Sequence, residues 1–294
     1  MNEKNRKQQP QTEYSTSKHH GTVNLSDFAL FLSVMRNREA YESVLSIILD
    51  ETDLALEEVA VEHVILNDSG KRAIRLDAWA RDSKNRQINT EMQNDTDSDD
   101  IRRRARFYQC LIDTPILKSG KETKYRELPA TIIIFITQDD VFGKDSAMYT
   151  FTEQCREFQG LELNDGTIKL FLNMKSKNGR PELVSLLQYM KKTDIRNPEI
   201  LVKDERIEKL DAIVTEVKET EEWEGLNMSI YKDGIEQGLL YGRQEDILEL
   251  LQDYGSVDEE LRQKIKAETD TETLRHWLKL SGRAGSIEAF KQNM

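Results

Sequence analysis

Three polar residues, Asp77, Glu91 and Gln93, stand in segments whose neighbours read as β-strand: Ala-Ile-Arg-Leu-Asp-Ala-Trp-Ala-Arg from Ala73, and Gln-Ile-Asn-Thr-Glu-Met-Gln from Gln87. Side chains alternate faces along a strand, so Glu91 and Gln93 share a face two residues apart. A three-residue loop of Ser83, Lys84 and Asn85, closed by Asn85 in the left-handed conformation, sets Asp77 opposite Glu91. A slip of one residue would turn Asp77 to the other side of the sheet. Two carboxylates and a carboxamide converging in this way offer hard oxygen donors suited to a divalent cation such as magnesium. The same alternation also describes a solvated strand face, and spacing alone leaves both readings open.

The elements that would position these residues can be read outward from them. Glu58 to Leu66 is rich in valine and isoleucine and reads as a strand, with Asn67 to Gly70 as the turn into the Ala73 strand. The result is a three-stranded antiparallel meander with the site strand central. Upstream, Phe28, Phe31, Leu32 and Met35, then Tyr41, Val44, Leu45 and Ile48, fall at helical spacing, as two short helices or one broken one capped by Asn24 or Ser26. Glu42 on this stretch could face the strand carboxylates, or be an ordinary solvated helix glutamate. Downstream, Ile101 to Asp113 reads as a helix with Ser98 as its N-cap and Asp99 and Asp100 at the positive end of its dipole. Arg104 and Tyr108 share one face of it. Arg102, Arg103, Arg104 and Arg106 form a basic group on a helix that leaves directly from the site, so the group is either a phosphate contact or a plain surface cluster. Ala130 to Thr137 is a continuous β-branched run expected to be buried on both faces, and short strands follow at Tyr149 to Thr152 and Ile168 to Asn173. Pro181 then opens a helix to Lys191.

Composition narrows the chemistry further. Two lone cysteines, Cys110 and Cys155, argue against a disulfide framework or structural zinc and read as packing residues. Four histidines, two of them at His19 and His20, offer little for a histidine-based metal centre, so any metal must rely on carboxylates. A net charge of −12 speaks against generic nucleic-acid binding and makes the placement of charge more telling than its total. No apolar run reaches the length of a membrane span, and residues 1–20 lack the apolar core of a signal peptide, so the expectation is a cytoplasmic protein with a loose leader. From Glu199 the chain becomes acidic, lysine-rich and helical. Gly234, Gly238 and Gly242 recur every four residues, but Lys232, Asp233, Glu236 and Arg243 exclude a membrane reading of that spacing.

Taken in order, "RLDAWARDSKNRQINTEMQN", "RRRARFYQCLID" and "KSGKETKYRELPATIIIFITQDDVFG" resemble the Rpn family of recombination-promoting nucleases and transposases, a branch of the PD-(D/E)XK nuclease superfamily. The similarity runs from about Leu25 to Asn197. It implies an α/β fold with a restriction-endonuclease-like core, a mixed central β-sheet flanked by helices, and a C-terminal all-helical extension. It also implies metal-dependent endonuclease activity on DNA with Mg2+, or Mn2+ in its place. By the same resemblance Asp77 matches the metal-binding strand aspartate, Glu91 the second acidic ligand, and Gln93 the position that is lysine in the superfamily's name but often glutamine in this branch. Glu42 matches the helical acidic residue, while Arg104 and Tyr108 match the basic and aromatic positions of the following helix, with Arg103 beside them as a further substrate contact. Glutamine can orient water or ligate but carries no positive charge. A nuclease fold without turnover, acting as a DNA- or protein-binding regulatory module, is therefore the rival reading.

The expected division of the chain is a disordered leader at 1–23, a nuclease-like domain at 24–197, a helical connector with the glycine-spaced segment at 198–243, and a small helical module at 244–294. The C-terminal helices are read as a surface for a second copy or another protein.

Overall fold

The computed structural model describes residues 23–67, 71–96, 100–117 and 124–294, the side chains of 230, 231 and 233–237 excepted. Residues 1–22 of the expected leader, the turn residues Asp68 to Gly70, and Ser98, Asp99 and Gly120 lie outside the described residues.

The chain opens with α1 (Phe28–Met35) and α2 (Arg38–Leu49), two short helices rather than one. They break at Asn37, whose side chain accepts the N–H groups of Glu39 and Ala40 and so starts α2. Neither Asn24 nor Ser26 caps α1. Asp27 holds the N-cap position, and its carboxylate accepts the Asn24 N–H instead. Next come β1 (Leu56–Ile65), β2 (Ile74–Asp82) and β3 (Gln87–Gln93), then α3 (Ile101–Asp113). After the short 3-10 turn Tyr125–Glu127 follow β4 (Thr131–Thr137), β5 (Met148–Phe151), β6 (Thr167–Asn173), α4 (Pro181–Lys191) and α5 (Glu205–Lys218).

The six strands form one mixed sheet in the order β1-β2-β3-β4-β6-β5. The first three strands are the expected antiparallel meander, and β3 then pairs in parallel with β4, as β4 does with β6. Every residue of β4 is buried, which its unbroken β-branched sequence requires of a strand covered on both faces. One face carries Ile133 and Phe135 against Ala105, Tyr108 and Leu111 of α3. On α2, Tyr41 reaches across to β2 and β3.

The β2–β3 turn has the geometry expected of it. Asn85 adopts φ +60°, and the paired positions run from Arg81 opposite Gln87 to Ala78 opposite Thr90. Buried Asp82 anchors the turn, its Oδ1 accepting the N–H groups of Lys84 (3.0 Å) and Arg86 (2.7 Å). Arg86 then forks onto Glu51 at the end of α2, at 2.6 and 2.8 Å.

The described residues up to Val217 form one compact unit and Lys218–Met294 another. Helix α5 belongs to the first, whereas the expected domain ended at 197. Ile207, Leu210, Ile213 and Val214 are buried on it, and Tyr189 of α4 donates its hydroxyl to Asp211 at 2.8 Å. The second unit contains α6 (Glu221–Gln252), α7 (Glu259–Ala267), α8 (Thr271–Ser281) and α9 (Ile287–Asn293). Its own core gathers Ile247, Leu251, Leu261, Ile265, Leu274 and Phe290. No helix among the described residues is long and apolar enough to cross a membrane.

Candidate active site

The ladder between β2 and β3 carries Asp77 and Glu91 to the point where it opens. Ala78 and Thr90 are its last pair, fastened from behind by the Tyr41 hydroxyl, 3.0 Å from the Ala78 carbonyl oxygen and 2.9 Å from Thr90 Oγ1. One step further the carboxylates take the place of backbone partners. The Asp77 N–H donates to Glu91 Oε1 at 3.1 Å, and the Met92 N–H donates to Asp77 Oδ2 at 3.0 Å. Each acid is thereby fixed by the main chain of the strand that carries the other.

Parallel pairing with β4 sets Asn89, Glu91 and Gln93 beside Ile133, Phe135 and Thr137, on the face that α3 covers. Glu91 is wholly buried. Its Oε1 also accepts from Asn89 Nδ2 at 3.0 Å, and its Oε2 accepts from Arg104 Nη2 at 2.7 Å. Arg104 donates its second arm to Gln93 Oε1 at 2.8 Å and its Nε to the Tyr108 hydroxyl oxygen at 2.8 Å. The guanidinium lies 5.0 Å from the centre of the Tyr108 ring and 5.6 Å from that of Phe135, over apolar surface that holds it in place. Gln93 is pinned at its other end by donating to the Asp95 carbonyl.

Burial is the largest influence on both acids and raises both above the usual carboxylate range. For Asp77 the charge of Glu91 adds to it, with the Met92 N–H and Arg104 opposing. For Glu91 the Arg104 charge is the main opposing influence. The two shifts share a cause, a pair of carboxyl groups held close together and away from water.

The structure brings together Asp77, Glu91, Gln93, Arg104 and Tyr108 and leaves two expected residues outside. Glu42 accepts the Leu56 N–H at 2.8 Å, and Leu56 pairs with Asp82, five residues along β2 from Asp77. It anchors the start of β1, and helical spacing could not reveal which end of the sheet it meets. Arg103 points into solvent and pairs with Asp100 at 3.3 Å. Asp100 is itself the N-cap of α3, accepting from the N–H groups of Arg102 and Arg103, and so lies outside the helix rather than in its first turn. Sequence reasoning missed Asn89, although its place two residues before Glu91 put it on the same face. It also missed Tyr41, which periodicity marks only as apolar.

A divalent ion fits the oxygen donors at this site. Among the described residues the Asp77 carboxylate accepts the Met92 N–H through Oδ2, and the buried Asn89 Oδ1 has no hydrogen-bond partner. Among the described residues no three His, Cys, Asp or Glu side chains cluster as a metal group. Glu91 Oε2 is held by Arg104.

A family model described as PD-(D/E)XK nuclease family transposase matches residues 25–232, more than half of the chain. The chain belongs to that family. Its mixed six-stranded sheet flanked by helices is consistent with the restriction-endonuclease-like α/β fold expected of PD-(D/E)XK nucleases. No curated protein and no solved structure matches. The Gln93 side-chain oxygen accepts an Arg104 N–H, a contact that a lysine ammonium could not make.

Proposed function

We propose that the protein is a metal-dependent endonuclease that hydrolyses DNA phosphodiester bonds at the Asp77–Glu91 pair, with Mg2+ as cofactor and Mn2+ able to replace it. Its setting is read as recombination or mobile-element DNA processing in the cytoplasm. The observation that carries the reading is the pair itself. Two carboxylates from neighbouring strands are interlocked through main-chain N–H groups, and Glu91 is buried with an arginine as its counter-charge. A buried charge is costly unless it is paired, so a site built this way implies a use for it.

When bound, Mg2+ supplies a water of lowered pKa and positive charge against the phosphate. Asp77 and Glu91 would hold the ion through their carboxylates. Gln93 would orient the attacking water through its side-chain amide. Arg104 donates charge-assisted hydrogen bonds to a non-bridging phosphate oxygen as negative charge develops there. Tyr108 keeps the guanidinium within reach through its Nε.

Supercoiled plasmid incubated with the purified protein and Mg2+ is expected to be nicked. Replacing Mg2+ with Ca2+, or introducing Asp77→Ala, should abolish nicking. A variant that nicks as well as the parent would overturn the assignment. The closed Arg104–Glu91–Gln93 arrangement favours a second reading, a nuclease-fold protein that binds without turnover. On that reading Mg2+ neither promotes nicking nor raises the melting temperature, whereas on the first it does both and the stabilisation disappears in Glu91→Ala.

A further inference from the structure

Beside the acidic pair lies an open cleft of about 350 Å3 whose walls include Phe28, Arg72, Arg75, Asp77, Gln93 and Arg104. Phe28, Arg72 and Arg75 have no part in the chemistry above. Phe28 begins α1 and is 40% exposed, whereas Leu30, Phe31, Leu32, Val34 and Met35 of the same helix are buried. A phenyl ring at an arginine-lined cleft is not filling the core. Arg75 precedes Asp77 by two residues on β2, so the two share a face about 6.6 Å apart along the strand. The charge of Arg75 reaches the Asp77 carboxylate. Its ion pair with Glu62 is 3.4 Å long and solvent-exposed on both sides, the kind of contact that exchanges readily for a phosphate.

Duplex DNA is normally gripped by a long basic track, and this chain carries a net charge of −12. Three arginines, Arg72, Arg75 and Arg104, line this one cleft next to the Phe28 ring. Basic side chains that follow a backbone, together with a ring on which a base stacks, are the means by which proteins hold single strands. A base within a duplex offers no free face to such a ring. The cleft lies near the lower end of the roughly 300–1,000 Å3 range of ligand sites, the scale of one nucleotide.

We propose that this cleft is a nucleotide subsite, in which Phe28 stacks on an unpaired base while Arg72 and Arg75 hold its phosphates, so that the preferred substrate is single-stranded DNA or a single-stranded flank. The proposal rests on the nuclease reading of the adjacent acids. The subsite sets which strand segment enters, and Asp77 and Glu91 act on the neighbouring phosphodiester.

The test is fluorescence-anisotropy binding of one labelled oligonucleotide, single-stranded or annealed to its complement, to the full chain in Ca2+ at fixed salt. Single strands are expected to bind at least tenfold tighter. Phe28→Ala should weaken single-strand binding about 5- to 150-fold, the worth of one stacked base, and duplex binding much less. Phe28→Tyr should restore it, whereas Phe28→Leu, which keeps apolar bulk without an aromatic face, should not. Arg75→Glu should weaken single-strand binding and flatten its salt dependence. Equal affinity for the two forms, or rescue by leucine as good as by tyrosine, overturns the subsite. Nicking assays separate the two levels of the argument. Loss of nicking in Asp77→Ala without strand preference leaves the nuclease and removes the subsite. Phe28-dependent single-strand binding without any metal-dependent cleavage leaves the subsite and removes the nuclease.

Discussion

Arg104 is the residue on which the site turns. Glu91 is wholly buried, and Arg104 supplies its positive counter-charge, contributed by α3 rather than by a lysine on β3. The charge that glutamine cannot bring to position 93 is thus present, one helix away. Removing it leaves a carboxylate in a low-dielectric setting with only neutral donors. Arg104→Ala is therefore expected to destabilise the metal-free protein by about 3 kcal/mol, measured by urea unfolding. Mg2+ should restore more stability to this variant than to the parent, because the ion no longer competes with a guanidinium for Glu91 Oε2. A variant as stable as the parent, with no greater response to Mg2+, would show that Arg104 does not carry this charge balance.

At the scale of elements, the β2–β3 turn and the strand ends around it hold the acids in register. Glu51 receives both arms of Arg86 and the Lys84 ammonium, tying the end of α2 to the turn. The Arg86 hydrogen bond, followed by that of Lys84, lowers the Glu51 carboxyl from an ordinary value of 4.5 to about 2 against the opposing effect of burial. A lowered folded-state pKa means stability that is complete above the unfolded value and lost as pH falls through the folded one. The melting temperature should accordingly drop between about pH 4.5 and about pH 2, and Glu51→Gln should flatten the curve across that window. At the far end of the parallel strands, Gly166 adopts φ +82°, and a Cβ there would lie 3.3 Å from Ala130 Cα. Its carbonyl accepts the Thr131 N–H that starts β4. Gly166→Ala should cost about 1–2 kcal/mol, the usual penalty for a left-handed non-glycine residue, in the same unfolding assay.

At the scale of the molecule, α5 decides where the nuclease unit can be cut. A chain ending after Asn197 loses four buried apolar side chains and the Tyr189–Asp211 hydrogen bond, so its melting temperature should fall sharply or it should fail to fold. A chain ending after Val217 keeps them and should melt cooperatively near the parent's first transition. The C-terminal unit has its own core and is expected to give a separate calorimetric transition that is absent from the shorter chain. Identical behaviour of the two truncations would contradict this boundary.

Local patterns in the sequence were enough to determine the meander, the left-handed Asn85, the doubly buried β4 and the pairing that sets Asp77 across from Glu91. Each depends on side-chain alternation or backbone preference among residues close in the chain. The sequence also established the family, since its motifs fall in the required order. Only the tertiary structure decided that Glu42 accepts the Leu56 N–H at the start of β1, that Arg104 meets Glu91 and Gln93, and that Phe28 and Arg75 border the same cleft. Those facts depend on where a helix lands against a sheet, on docking between segments dozens of residues apart. Periodicity assigns each residue a face but not the partner that the face will meet.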